Sequence, residues 1–214
     1  MYNLKKGLNI PISGSPEGTV SDSTKISHVG ILGPDYIGMK PTMMVEVGDQ
    51  VKIGSVLFED KKNPGVFFTS PAGGLIKSIN RGEKRRFISI EIEVADQENQ
   101  VEILNDSDEI LFRNLSKYGV INNFRTRPFN KTPKPNDIPN DIFVNICDTN
   151  PLSVDPYIYL QHEIDLFNRS LMKLKEIFNC NIHVCYQNND FNNFIDGINY
   201  YNFKGPHPAG LSGT

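Results

Sequence analysis

The chain has 214 residues, of which 22 are basic, 25 are acidic and 38% are hydrophobic, with a formal net charge of −3. This balance is typical of a globular protein, and it argues against general nucleic-acid binding, which depends on a basic face. No stretch approaches the roughly 18–20 consecutive apolar residues of a membrane span, and the length suits one large domain or two small ones.

The first 40 residues predict short β-structure. Apolar residues alternate from Leu8 to Ile12 around Pro11, which indicates an edge strand because proline cannot donate to a ladder. A second apolar run covers residues 26–32 and ends at a glycine and a proline. We interpret His28, at the start of that run, as a structural histidine.

Residues 41–79 predict several short strands separated by glycine and proline, with no room for a helix. The alternation of Val45, Val47, Val51 and Ile53 predicts two strands joined by a tight turn at Gly48-Asp49. Further strands are predicted at residues 56–58, 66–68 and 75–79, and the segment Ser70-Pro71-Ala72-Gly73-Gly74 predicts a corner between the last two.

The strand with the clearest alternation covers residues 87–94. The pattern predicts one face turned inward and the other toward water. The predicted inward residues are Ile88, Ile90, Ile92 and Val94, and the predicted outward residues are Ser89, Glu91 and Glu93. The basic triplet at residues 84–86 precedes this strand and is interpreted as a solvated hairpin tip.

The order of turn, glycine and S-P-x-G-G corner resembles the barrel-sandwich hybrid of biotinyl and lipoyl carrier domains. Such carriers display a lysine at a hairpin tip, where this chain has Lys61 and Lys62. The methionines that flank a biotinyl lysine are absent, and Asn63-Pro64-Gly65 predicts a stiffer turn. Two interpretations stay open: a modified lysine, or ordinary charges on a solvated loop.

The segment from residue 95 to 108 is acidic and polar, which indicates a domain boundary. We predict a β domain over residues 1–103 and an α/β domain over residues 104–214. The second domain begins with a predicted short helix over residues 109–119, ended by Gly119, and a connector rich in proline and basic residues follows over 125–135.

Residues 142–147 form a nearly continuous apolar run, as expected for a central parallel strand. Apolar residues at spacings of three and four predict a helix over about 156–179, and residues 182–186 predict a second strand. Residues 199–203 are predicted as a third strand. Strand, helix and strand make a βαβ unit of the Rossmann-like class, for which a right-handed crossover is expected.

The cysteines do not predict a metal site. Cys147, Cys180 and Cys185 lack the fourth ligand that structural zinc and Fe–S sites need, so they are interpreted as buried reduced thiols. Neither a G-x-G-x-x-G motif nor a P-loop is present, which weighs against NADH or flavin binding by this chain. Cofactor and metal sites are therefore assigned to none of its residues.

Several motifs in the same order along the chain resemble the A subunit of the sodium-translocating NADH:quinone oxidoreductases. These motifs are Lys5-Lys6-Gly7-Leu8, residues 58–66, residues 80–85, Asp148-Thr149-Asn150-Pro151-Leu152 and Gly205-Pro206-His207-Pro208-Ala209-Gly210-Leu211. The family's protein continues well beyond residue 214, so the resemblance implies a chain truncated at its C-terminus, with an incomplete α/β domain.

The resemblance implies a component of a respiratory pump of the bacterial inner membrane, which moves electrons from NADH to ubiquinone and exports sodium. It implies a peripheral position on the cytoplasmic face, with the other subunits and ubiquinone as partners. Flavins and the 2Fe-2S centre belong to other subunits of that complex. The chain alone is expected not to be catalytic, and a carrier protein and a flavin- or dinucleotide-binding subunit like that of complex I are the alternatives.

For this family the glycine-rich loop is our candidate for binding quinone or contacting another subunit. His207 is its only titratable side chain and could donate a hydrogen bond to a quinone carbonyl. Pro206 and Pro208 would stiffen the loop, while Gly205 and Gly210 would permit close backbone approach. The alternative is a tight turn that packs on the rest of the family's chain.

The Asp148-Thr149-Asn150-Pro151 motif follows the predicted strand at its carboxyl end, where ligands gather in open α/β sheets. It is a candidate docking surface. A helix cap by Asp148 and a turn at Asn150 would account for the motif without chemistry.

Overall fold

The computed structural model describes residues 1–21, 25–95, 112–187 and 191–211. The chain divides into a unit of Met1–Ser23 with Ile138–Thr214 and a unit of Thr24–Asp137. The first 23 residues group with the later part of the chain because β1 (Tyr2–Asn3) pairs in parallel with a strand near residue 203. The predicted boundary at 103/104 lies outside the described residues, so the division at that point stays a prediction.

The unit Thr24–Asp137 contains two antiparallel sheets. Its strands are β2 (His28–Leu32), β3 (Pro41–Met43), β4 (Gln50–Val51), β5 (Val56–Asp60), β6 (Phe67–Thr69), β7 (Gly74–Arg81) and β8 (Phe87–Val94). One sheet has the order β2-β8-β7-β4 and the other the order β3-β5-β6. The predicted strands at 56–58, 66–68, 75–79 and 87–94 therefore agree with the structure, as does the barrel-sandwich hybrid class.

Buried apolar side chains from both sheets form the core of this unit. They include Leu57, Phe58, Val66, Phe68, Ile76, Ile90 and Ile92. The Phe58 and Phe68 rings stack with their centroids 4.6 Å apart, and Phe87 meets Phe58 edge-on at 5.2 Å. Burial of these large rings supplies most of the hydrophobic stabilisation available to such a small fold.

Two predicted strands are wrong. Residues 44–49 form a loop in which Val47 is 61% exposed, although Gly48, with φ of +98°, makes the predicted turn. Residues 8–12 are not a strand either, and Leu8 is 74% exposed. The Leu8 amide donates to a single carbonyl, that of His207 at 2.9 Å, so no ladder forms.

The inward position predicted for Ile88 is also wrong. Arg81 pairs with Phe87 and Asn80 pairs with Ser89, so a register shift leaves Ile88 without a partner on β7. Phe87 turns into the core with 6% of its surface exposed, while Ile88 is 37% exposed. A bulge of this kind reverses the alternation locally, which a strict period of two does not anticipate.

The hairpin tip after β5 is held by the Asp60 carboxylate, which is 3% exposed. It accepts hydrogen bonds from the Lys40 amide at 3.0 Å, the Lys62 amide at 3.0 Å and Asn63 Nδ2 at 2.7 Å. The Lys62 Nζ donates to the Gly38 carbonyl at 2.8 Å, whereas Lys61 is exposed. The tip is therefore tied to the residues before β3, and the Lys62 amine is held against backbone.

The end of this unit packs beside β6. Helix α1 (Phe112–Lys117) forms the described part of the helix predicted over 109–119, whose first three residues lie outside the described residues. Gly119 follows it with φ of +72°, the left-handed conformation expected of a residue that ends a helix. Asn122 is buried and donates to the Phe67 carbonyl at 2.6 Å, which joins this segment to the sheet.

The unit Met1–Ser23 with Ile138–Thr214 is an α/β layer. It comprises β9 (Asp141–Ile146), α2 (Tyr157–Leu160), α3 (Ile164–Phe178), β10 (Asn181–Tyr186) and β11 (Asn199–Lys204). The sheet order is β1-β11-β10-β9, and every pairing is parallel. The three predicted strands and the βαβ order are confirmed, while the right-handed crossover stays a prediction.

The single helix predicted over 156–179 is interrupted. Residues Gln161–Glu163 form a 3₁₀ turn between α2 and α3, and Asn179, with φ of +47°, ends α3 in the left-handed conformation. Leu171 and Phe178 of α3 are buried, as are Ile182 and Val184 of β10. The helix therefore covers one face of the sheet. In the part of the chain that the structure describes, no helix is both long and apolar enough to cross a bilayer.

Candidate functional site

Strand β11 leads directly into the glycine-rich loop, which lies at the carboxyl edge of the parallel sheet. The Leu4 amide donates to the Lys204 carbonyl at 2.8 Å, so the pairing of β1 and β11 continues to the start of the loop. Gly205 has φ of +143°, and a Cβ atom there would lie 2.3 Å from the Leu4 carbonyl oxygen. A side chain at this position would push the two backbones apart, which is why the loop begins with glycine.

The backbone of His207 is held by the N-terminal segment. Its amide donates to Asn9 Oδ1 at 2.9 Å, and its carbonyl accepts from the Leu8 amide at 2.9 Å. Gly7 has φ of +146°, and a Cβ atom there would lie 2.1 Å from the His207 carbonyl oxygen. Residues 7–9 are thus part of the site, a role that the sequence did not predict.

The His207 ring is held by Thr149. Its Nδ1 lies 3.0 Å from the Thr149 carbonyl oxygen and 3.4 Å from Thr149 Oγ1, and that hydroxyl donates to the Ala209 carbonyl at 3.1 Å. A carbonyl can only accept, so Nδ1 carries the hydrogen. The neutral ring therefore presents Nε2 as an acceptor, and only the protonated ring can donate from it.

The remainder of the loop makes two tight turns. The Ala209 amide donates to the Pro206 carbonyl at 2.9 Å, and the Leu211 amide donates to the Pro208 carbonyl at 3.0 Å. Ala209 is fully buried, and Gly210 lies so close to the Cys147 side chain that a Cβ atom would be 2.9 Å from its sulfur. The loop therefore crosses from the end of β11 to the end of β9.

The Asp148 side chain makes a local turn. Its Oδ1 accepts from the Asn150 amide at 2.9 Å and from Asn150 Nδ2 at 2.8 Å. It does not cap the next helix, because α2 begins at Tyr157, where Asp155 Oδ1 accepts from the Tyr157 amide at 2.9 Å. Of the four motif residues, Thr149 touches the glycine-rich loop, whereas Asp148 and Asn150 bond to each other and Pro151 continues the turn.

The nearby thiols are held in their protonated form. Burial raises the pKa of Cys147 to about 12, and it also raises the pKa of Cys185. The thiolate is the form that binds metals and attacks electrophiles, so both thiols are poorly placed for such chemistry. Among the residues that the structure describes, no group of three or more His, Cys, Asp or Glu side chains could hold a metal ion.

Two family models match consecutive parts of the chain. Residues 2–95 match the NqrA N-terminal barrel-sandwich hybrid domain, and residues 106–214 match the NqrA second alpha/beta domain.

Curated proteins named as the A subunit of Na(+)-translocating NADH-quinone reductase are similar over the whole chain. Those of Yersinia pseudotuberculosis serotype O:1b and Neisseria meningitidis serogroup B are 45% and 46% identical to it, and that of Histophilus somni strain 2336 is 42% identical. In each comparison the match covers 100% of this chain and 50% of the relative. The chain therefore spans about half the length of these relatives.

Proposed function

Because the chain belongs to the NqrA family, that of the A subunits of the Na(+)-translocating NADH-quinone reductases, we propose that it serves such a complex as a quinone-associated component. The complex would pass electrons from NADH to ubiquinone and export sodium. The relatives' names supply the enzyme, the ion and the quinone. This chain would contribute a structural and quinone-facing part rather than the electron-carrying cofactors.

The observation that carries this proposal is the fixed ring of His207. Its backbone bonds to residues 8 and 9, and its Nδ1 bonds to the Thr149 carbonyl, so the ring cannot turn freely. Among the described residues, Nε2 has no hydrogen-bond partner, and the side chain is half-buried. Such a nitrogen, held at the edge of a parallel sheet, is suited to a small polar ligand.

The ring's protonation state decides what Nε2 can do. The neutral ring would accept a hydrogen bond from a hydroquinone hydroxyl, and the protonated ring would donate one to a quinone carbonyl. Accepting a proton from hydroquinone, or supplying one to reduced quinone, is general acid–base chemistry within reach of this side chain. Electron transfer itself would depend on flavins and a 2Fe-2S centre carried by other subunits.

The remaining parts of the proposal concern assembly. The chain would lie peripherally on the cytoplasmic face of the bacterial inner membrane and contact the other subunits of the complex. The relatives are subunits by name, and no membrane-spanning helix occurs among the described residues. The Asp148–Pro151 turn, next to the glycine-rich loop, would form part of the surface that another subunit meets.

Replacing His207 with alanine in the assembled complex is expected to lower quinone reduction by about tenfold, the effect of one lost hydrogen bond. NADH dehydrogenation, measured with an artificial acceptor, should be unchanged. His207→Asn separates contact from anchoring, because the amide can keep the bond from Nδ1 to the Thr149 carbonyl.

Asparagine offers nothing at the Nε2 position, so His207→Asn should be as impaired as His207→Ala. His162→Ala, at an exposed histidine elsewhere in this unit, is the matched control and should behave as wild type. Full activity of His207→Asn would reduce His207 to an anchor of the loop. Equal loss of both activities in His207→Ala would also argue against a quinone role.

A further inference from the structure

One face of the parallel sheet carries a continuous row of rings. We call Tyr2, Phe143, His183, Tyr201 and Phe203 the aromatic face. Phe143 stacks on His183 with centroids 4.7 Å apart, His183 lies 5.6 Å from Tyr201, and Tyr2 lies 5.9 Å from Tyr201 and 5.3 Å from Phe203. The row crosses all four strands, from β9 to β1.

This face is uncovered in the described structure. Phe143 is 65% exposed and Tyr2 is 52% exposed, whereas Ile182 and Val184, which alternate with His183 on β10, are fully buried. Helix α3 packs against β10 on the side of those buried residues. Parallel sheets are normally covered on both faces, so this layer lacks a partner on one of them.

The polar groups on the aromatic face are already paired. His183 Nε2 lies 2.8 Å from Asp141 Oδ1, and its Nδ1 lies 3.2 Å from the Tyr201 hydroxyl. Hydrogen bonds from His183 and Asn181 hold the pKa of Asp141 below its ordinary value. Both ring nitrogens are therefore engaged, which suits a packing surface better than a site of proton transfer.

The edge of the sheet at β9 is also unpaired, since β9 pairs with β10 alone among the described strands. The chain moves in one direction from β9 to β10 to β11, and the glycine-rich loop then returns to the end of β9, where Gly210 meets Cys147. In doubly wound sheets of this order, the next strand pairs on the far side of the first. A right-handed connection to that strand places its helix on the opposite face of the sheet.

We infer that the aromatic face and the free edge of β9 dock the part of the family's chain that follows the matched segment. A helix of that part covers the aromatic face, and a strand of it pairs in parallel with β9. The relatives are about twice as long as the match, and the matched models are the N-terminal and second domains, so the unmatched half comes afterwards. This inference uses family membership and does not depend on the quinone role.

The test combines the 214-residue chain with the unmatched half of the Yersinia pseudotuberculosis relative as a separate polypeptide. The two should form a one-to-one complex in which amide hydrogen exchange of β9 slows by about tenfold or more. Phe143→Glu should weaken the complex by more than about tenfold, since it puts a charge into the contact.

Leu166→Glu is the matched control, because Leu166 is 52% exposed on α3 and lies outside the aromatic face. It should bind as wild type, and an unchanged thermal midpoint would show that Phe143→Glu still folds. Absence of a complex, protection confined to other strands, or equal effects of the two variants would overturn the inference. A dimer of this chain that Phe143→Glu dissociates would assign the face to a second copy, which also overturns it.

Discussion

Replacing Gly205 with alanine is expected to destabilise the α/β unit by at least about 3 kcal/mol. The residue has φ of +143°, and the added Cβ atom would lie 2.3 Å from the Leu4 carbonyl oxygen, a backbone atom that cannot rotate away. The clash would separate β1 from β11 or lift the loop, so that the His207 ring loses its bond to the Thr149 carbonyl. Chemical denaturation followed by circular dichroism measures the loss.

Gly14→Ala is the matched control for this change. Gly14 also has a positive φ of +109°, but a Cβ atom there would have no neighbour within 4 Å. It should therefore show the backbone strain alone, about 1 kcal/mol. If the two variants lose the same stability, close packing of the loop against the N-terminal segment is not what makes Gly205 necessary.

The Asp60→Ala variant is expected to lose about 3–5 kcal/mol of stability in the β-sheet unit. The 3%-exposed carboxylate accepts from two amides and one side-chain amide, and its removal would leave these donors without their partner. Hydrogen exchange at the buried strands β7 and β8 reports this unit separately from the α/β unit. The hairpin tip with Lys61 and Lys62 should become mobile in the same variant.

Asp49→Ala serves as the comparison, because Asp49 accepts one hydrogen bond, from the Glu46 amide at 2.8 Å, on an exposed loop. We expect it to cost no more than about 1 kcal/mol. A similar small loss for Asp60→Ala would mean that the tip does not depend on the buried carboxylate.

The strands with long apolar alternation could be predicted from the sequence because their side chains answer to local burial. Residues 56–58 and 87–94 are examples. The errors arise where pairing decides instead of pattern. Residues 8–12 alternate like a strand but bond to the loop around His207, nearly two hundred positions away, and Ile88 is displaced by a register shift that depends on β7.

The candidate site was predictable in part. The motifs containing Thr149 and His207 stand out as unusual clusters of glycine, proline and polar residues, and the structure brings these two residues into contact. Gly7 and Asn9 were not predicted as site residues, since nothing near them in the sequence indicates a partner close to the C-terminus. Only the parallel pairing of β1 with β11 brings them together.

The quinone role of His207 is tested most directly by titrating this chain with a short-chain ubiquinone and following the NMR signals of the His207 ring. Quinone binding at Nε2 predicts saturable shifts at His207 and at the Thr149 amide, and their loss in His207→Asn. Saturable binding that leaves the His207 signals in place, or unchanged binding by His207→Asn, would contradict that role.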